Sequence, residues 1–198
     1  MSCLNQQQWD KKLKIQTIGR DASSADAYRY PYEPTDYCVL QRLADSGLIT
    51  ADNVLVDYGC GKGRVSFFLN SQIGCKVTGI DHSERLLQMA KKNLEEYGKT
   101  DDIKFIHSKA EEYVPGEAKC FYLYNPFSTK IFRQVLKRIG ESKEKNPREI
   151  LIFFYYSTIE YKTYLPTEPR IELIKTVTFN EETINDRVPA KLSVYRYK

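Results

Sequence analysis

Val54-Leu-Val-Asp-Tyr-Gly-Cys-Gly-Lys-Gly-Arg-Val-Ser-Phe-Phe-Leu-Asn70 is the stretch whose reading decides the fold. It opens on an apolar run, Val54 to Val56. It then turns through Gly59, Gly61 and Gly63 and leaves with Val65, Phe68 and Leu69 at helical spacing. That order is strand, tight turn, helix, and open α/β sheets bind their ligands at such turns. The spacing G-x-G-x-G is not the G-x-G-x-x-G of a dinucleotide site. Asp57, two residues before the first glycine, would repel a pyrophosphate and suits a cationic ligand. A phosphate-binding P-loop is excluded, because Gly63 and not Ser or Thr follows Lys62.

The chain on either side fits an α/β protein. Thr35 or Asp36 can cap a helix from Tyr37 to Ser46 that ends at Gly47. Lys76 to Ile80 reads as a second strand ending in Asp81, and Ser83 can cap the helix that follows, to about Tyr97. Further strands are expected at Ile103–His107, Cys120–Tyr124 and Glu149–Tyr156. The last is nearly all apolar, as a strand buried on both faces must be. Between the last two, Ile131, Phe132, Val135, Leu136 and Ile139 make a helical stripe that Ser128 can cap. The tail adds strands at about Ile171–Phe179 and Lys191–Tyr197.

Asp57-Tyr-Gly-Cys-Gly-Lys-Gly63 resembles the first motif of class I S-adenosylmethionine-dependent methyltransferases. Asp81 stands about 20 residues after the glycines, as expected for a ribose-binding acid. The resemblance covers residues 36 to 198. It implies a three-layer α/β, Rossmann-like fold with a seven-stranded, mostly parallel sheet whose last strand is antiparallel. It also implies S-adenosyl-L-methionine as cofactor. Asp57, Tyr58 and the amides of Gly59, Gly61 and Gly63, with Arg64, would hold its methionine end. Asp81 would take the ribose, and His82 would stack on the adenine. Ser108, Lys109 and Ala110 occupy the third cofactor motif.

Asn125-Pro-Phe127 resembles a shortened N-P-P-[F/Y] motif of methyltransferases that act on amide or amino nitrogens. Asn125, Pro126 and Phe127 are therefore the expected catalytic residues, with Asn125 also near the cofactor. Residues 1–35 are expected to form a cap over the domain at 36–198. Their segment Tyr28-Arg-Tyr-Pro-Tyr-Glu-Pro-Thr35 contains two prolines, which forbid a regular helix, and Trp9 to Ile15 leaves room for one or two helical turns. Tyr30, Tyr32 and Thr35, with Tyr155, are the candidate substrate residues. Glu111, Tyr30, Tyr155 and Tyr156 are the candidate bases, and none has a spacing that singles it out.

Composition narrows the function further. At 198 residues, with 41% hydrophobic residues, one globular domain is expected. Nothing approaches the ~20 apolar residues of a membrane span. The polar start is no signal peptide, so the expected location is the cytoplasm. Five scattered cysteines and two histidines give no metal-ligand spacing, so no metal is expected and Cys60 reads as turn filler. A net charge of +4 permits a nucleic-acid partner without favouring one, and the basic residues from Lys130 to Arg148 read as a solvated face. The expected activity is methyl transfer to an unidentified acceptor, with a small molecule or a protein or RNA nitrogen favoured. The alternatives are a module that binds the cofactor without turnover and a methyltransferase of RNA bases.

Overall fold

The computed structural model describes residues 4–98, 100–155, 158–178 and 191–198. Its sheet has seven strands: β1 (Val54–Tyr58), β2 (Lys76–Asp81), β3 (Ile103–His107), β4 (Cys120–Leu123), β5 (Leu151–Tyr155), β6 (Ile171–Thr178) and β7 (Lys191–Tyr197). They lie in the order β3-β2-β1-β4-β5-β7-β6. The first five pair in parallel, and β7 is antiparallel to both of its neighbours. The expected fold class is therefore present. Phe179, at the expected end of β6, and Tyr156, at that of β5, fall outside the described residues.

Helices cover both faces: α1 (Gln6–Leu13), α2 (Tyr37–Asp45), α3 (Arg64–Ile73), α4 (Glu84–Tyr97), α5 (Thr129–Lys145) and α6 (Ile159–Tyr164), the last running into a 3₁₀ turn at Leu165–Thr167. The pleat sorts the core into two layers, since successive strand residues point to opposite faces. Leu55, Tyr122 and Phe153 pack with Trp9, Tyr37, Leu40 and Phe68 on one side. Val56, Tyr58, Phe121 and Phe154 pack with Phe132, Leu136 and Tyr161 on the other.

Two features go beyond the periodicity. The sequence shows one apolar face on α3, yet Arg64 to Leu69 are all buried. The reason is α1, whose Trp9 ring lies 4.9 Å from Phe68 and 5.6 Å from Tyr37. Asn5 and Gln8 start α1 with a reciprocal capping box. The second feature is α6, too short to leave a periodic signal. It is fastened by Tyr161, whose hydroxyl donates to Phe127 O at 2.9 Å.

Candidate functional site

The C-terminal ends of β1, β2 and β4 meet at the glycine turn. The turn closes on its own chain: the Gly59 and Cys60 amides both donate to Ile80 O, and Gly63 N donates to Cys60 O. Gly61 N donates to Asp81 Oδ2 at 2.8 Å. The amides expected to meet the ligand are thus engaged inside the fold. What the glycines supply is closeness. A Cβ on Gly59 would stand 2.4 Å from Pro126 Cβ, and one on Gly61 would stand 2.1 Å from the Tyr32 ring. Both have positive φ, which favours glycine in any case. Cys60 is buried with its thiol pushed well up, by burial first and then by Asp81 and Asp57. An inert filler of the turn is what that makes it.

Two carboxylates line the cleft beside the turn. Asp81 is anchored, taking Gly61 N on one oxygen and Ser83 N on the other, each at 2.8 Å. Asp57 is 2% exposed, and its Oδ2 has no hydrogen-bond partner. Burial, then the neighbouring Asp81, pushes the Asp57 carboxyl up to about 8. A buried, unpartnered acceptor beside a second carboxylate is relieved by a cation with N–H donors. The amino group at the methionine end of S-adenosylmethionine has that chemistry, so the residues present fit this cofactor. His82 Nε2 donates to Ser24 O (2.9 Å), and its Nδ1 sits 3.5 Å from Asp81 Oδ1. Its hydrogen bond with Asp81 raises its pKa.

The cleft is divided in two. A cavity of about 50 Å³ is lined by Asp57, Gly59, Arg64, Asp81, Tyr122 and Tyr124 below, and by Asp21, Ser24, Tyr30 and Tyr32 above. Beyond Gly59 and Pro126 a second, of about 20 Å³, is lined by Ile80, His82, Ser108, Ala110 and Phe127, with Arg29 above. Asp81, His82, Gly59 and Pro126 border both.

Several expected site residues stand elsewhere. Tyr58 follows Asp57, so the pleat turns it to the opposite face, where it is 1% exposed against Phe121 and Phe127. Gly63 starts α3 against Phe67 and Phe105. Lys109 pairs with Glu112 on the surface, at 3.0 Å. Thr35, by contrast, does border the larger cavity, buried with its hydroxyl 3.0 Å from the Tyr122 hydroxyl. Tyr155 is buried against Tyr124, the ring centroids 4.7 Å apart.

Asn125 has φ 39°, a strained value that Asn tolerates better than most residues, and borders neither cavity. Its Oδ1 accepts from Thr158 N at 3.4 Å, while Pro126 O accepts from Tyr30 N at 3.1 Å. Arg64 borders the larger cavity but is held by Thr17 Oγ1, Thr35 O and Gln6, with the Asp10 carboxylate 3.5 Å away.

Ser24, Tyr122, Tyr124 and Glu160 join the site without having been singled out by the sequence. Glu160 fastens the acceptor side of the cleft, taking Thr129 N at 3.0 Å and the Tyr30 hydroxyl at 3.0 Å. None of the four lies in a recognisable motif; the crossing of distant segments brings them together. Glu111, named only as a base, pairs with Arg29 at 2.9 Å and keeps a buried Oε2 without a partner.

Comparison with known proteins bears on the fold and the family. The sequence model of the family described as a methyltransferase domain matches residues 55–139, which span β1 to α5. From β1 to α5 the chain is thus similar to methyltransferase domains, and its sheet has the strand order of solved methyltransferases. It is 33% identical to a histone-lysine N-methyltransferase of Dictyostelium discoideum over 106 residues, 47% of this chain and 6% of that one. It is 39% identical to a probable cobalt-precorrin-6B C(15)-methyltransferase of Pyrobaculum calidifontis over 61 residues, 30% of this chain and 31% of the other. The chain thus spans a third or less of the length of these curated relatives. A tRNA (uracil-54, C5)-methyltransferase of Pyrococcus abyssi, solved in complex with S-adenosyl-L-homocysteine, superposes with a TM-score of 0.64 at 14% identity. That match covers 83% of this chain and 40% of the other. Among the described residues no helix is long and apolar enough to cross a membrane.

Proposed function

We propose that this protein binds S-adenosylmethionine in the cleft between Asp57, Asp81 and Ser108, and transfers its methyl group to a nucleophilic acceptor by direct in-line displacement. The observation that carries the reading is the buried, unpartnered Asp57 Oδ2 beside Asp81, a site made for an ammonium group. The cofactor supplies an activated methyl on a sulfonium. What remains for the chain is to hold and orient the reactants and exclude water. Asp57 holds the amino group, Asp81 accepts from the ribose hydroxyls, and Ile80, His82, Ala110 and Phe127 enclose the base. Pro126 separates the two compartments of the cleft.

The acceptor enters from the side of Tyr30, Tyr124 and Glu160. A small molecule or a protein or RNA nitrogen is the favoured acceptor. An extended nucleic-acid surface is not favoured, because the cations of α5 and the following loop are engaged within the chain. Lys130 lies over Tyr28, Arg133 over Tyr164, Arg138 binds Glu111 O, and Arg148 binds the carbonyls of Gly116, Ala118 and Ser142. A cytoplasmic location belongs to the same proposal.

Calorimetric titration with S-adenosylhomocysteine, beside NADH, tests the reading. Binding of the first and not of the second is expected; binding of neither, or of NADH alone, refutes it. Asp81→Ala is expected to weaken binding by ~1.5–3 kcal/mol, the scale of charge-assisted hydrogen bonds. Circular-dichroism melting checks that the amides of Gly61 and Ser83, left without their acceptor, have not unfolded the variant. Production of S-adenosylhomocysteine with any acceptor in a panel of amines, amides and short peptides separates an enzyme from a module that only binds.

A further inference from the structure

We propose that residues 18–34 are a gate, hinged between two buried threonines, that lies closed over the cofactor cleft and must lift before the cofactor can enter. This rests on the cofactor reading above.

Volume is the first argument. Pockets that take ligands of cofactor size measure roughly 300–1,000 Å³. The two compartments here measure about 50 and 20 Å³. Their floor is the end of a parallel sheet, with Asp57, Tyr122 and Ile80 all buried in its strands. Their roof is Asp21, Ser24, Tyr30 and Tyr32 over one and Arg29 over the other. Room for a nucleoside joined to an amino acid has to come from the roof.

The second argument is how the roof is attached. Thr17 and Thr35 are buried, at 0% and 2% exposure, and both are fixed to Arg64. Between them no residue from Ile18 to Pro34 is buried. The segment's own side chains therefore lie outside the core. Gly19 has φ 94° and open space around it, and Pro34 stands at the other end, so both ends are marked by backbone specialists.

Polar contacts hold the segment down, and water can replace them. Ser24 Oγ lies 2.6 Å from Ser83 Oγ, and Ser24 O meets His82. Asp21 pairs with Arg85. Tyr30 N donates to Pro126 O, and Ser128 N donates to Tyr28 O at 2.8 Å. Each such bond contributes only ~1 kcal/mol net. The Tyr32 ring of the segment also lies directly over Gly61 of the turn. Opening also frees Pro126 O and Ser128 N, an acceptor and a donor at the edge of the cleft.

A disulfide across the Ser24–Ser83 contact tests the gate. The two hydroxyl oxygens stand 2.6 Å apart, near the ~2.05 Å that two bonded sulfurs would span. The full-length variant Ser24→Cys/Ser83→Cys is made with Cys3→Ser and Cys38→Ser, so that mild oxidation links only the introduced pair. The reduced form of the same variant is the reference for binding of S-adenosylhomocysteine. The linked protein is expected to bind at least ~100-fold more weakly and to recover with dithiothreitol. Equal binding by the linked and reduced forms overturns the gate.

Amide hydrogen exchange reads the gate without any ligand. In the reduced form the amides of Tyr30 and Ser128, whose hydrogen bonds cross between the segment and the rest of the chain, should exchange at least ~100-fold faster than those of β1, and linking should slow them. Exchange as slow as that of β1 in the reduced form overturns the gate as well. If the amides behave as expected and the parent binds no S-adenosylhomocysteine, the gate stands and the cofactor assignment falls.

Discussion

Replacing Arg64 with methionine should cost the protein ~3–5 kcal/mol, the penalty for leaving a buried partner charge alone. At this chain length that lowers the melting temperature by roughly 10 °C. The guanidinium is 2% exposed and lies 4.4 Å from the Tyr37 ring centre. It ties α1, through Asp10 and Gln6, to α3 and to both anchors of the segment above the cleft. Asp10 is itself buried and also accepts from Thr17 N at 2.6 Å and from the Tyr37 hydroxyl at 2.5 Å. Without Arg64 its charge is left uncompensated. The double variant Arg64→Met/Asp10→Leu removes both charges and should be less destabilised than the sum of the two single variants. Thermal melts of the four proteins decide this. An Arg64→Met protein as stable as the parent would return the arginine to a ligand-facing role.

The second large effect concerns Asp57 and has opposite signs for stability and for binding. The folded-state carboxyl is held at about 8, against 3.8 in the unfolded chain. Between those values the folded protein keeps a proton that the unfolded chain releases. Stability of the ligand-free protein therefore contains a contribution that is full below about pH 4, falls as pH rises, and is lost above about pH 8. Asp57→Asn removes the charge and should flatten that slope, leaving the variant more stable than the parent at pH 8 by several kcal/mol, with ~5 as the ceiling.

Cofactor binding should move the other way. An ammonium beside Asp57 favours the carboxylate, so binding releases a proton below pH 8 and tightens with pH, by at most about tenfold per unit. Asp57→Asn should lose that dependence and ~1.5–3 kcal/mol of affinity at pH 8. Titrations with S-adenosylhomocysteine in buffers of different ionisation enthalpy count the proton directly. Affinity independent of pH from 6 to 8 in the parent would place the amino group elsewhere.

Much of this site is legible in the residues alone. Val54–Val56, the glycines and Asp57 fall within a few residues of one another, so strand, turn and acid are one local pattern. Asp81 stands out in the same way, at the end of the next strand. Sequence and structure part wherever a side chain's direction matters. Tyr58 and Asp57 are neighbours along the chain, yet the pleat sends one into the core and leaves the other facing the cleft. The turn amides look available, yet their partners, Ile80 O and Asp81, come from a strand about 20 residues away that only the sheet brings alongside. Tyr155 has the chemistry of a substrate residue, but packing sets it in the core against Tyr124.

By itself, then, the sequence determined the class of fold, the order of the strands and longer helices, and the acids at the ends of the first two strands. These depend on periodicity and on residues close together along the chain. Only the tertiary structure decided that Arg64 is an anchor, that Glu160 and Tyr30 meet, and that residues 18–34 lie across the cleft. The Tyr30–Glu160 contact joins residues 130 apart, and the Arg64 contacts with Gln6 and Thr35 span 58 and 29. Contacts of that kind depend on how the packed layers bring remote segments together, and no local pattern records them.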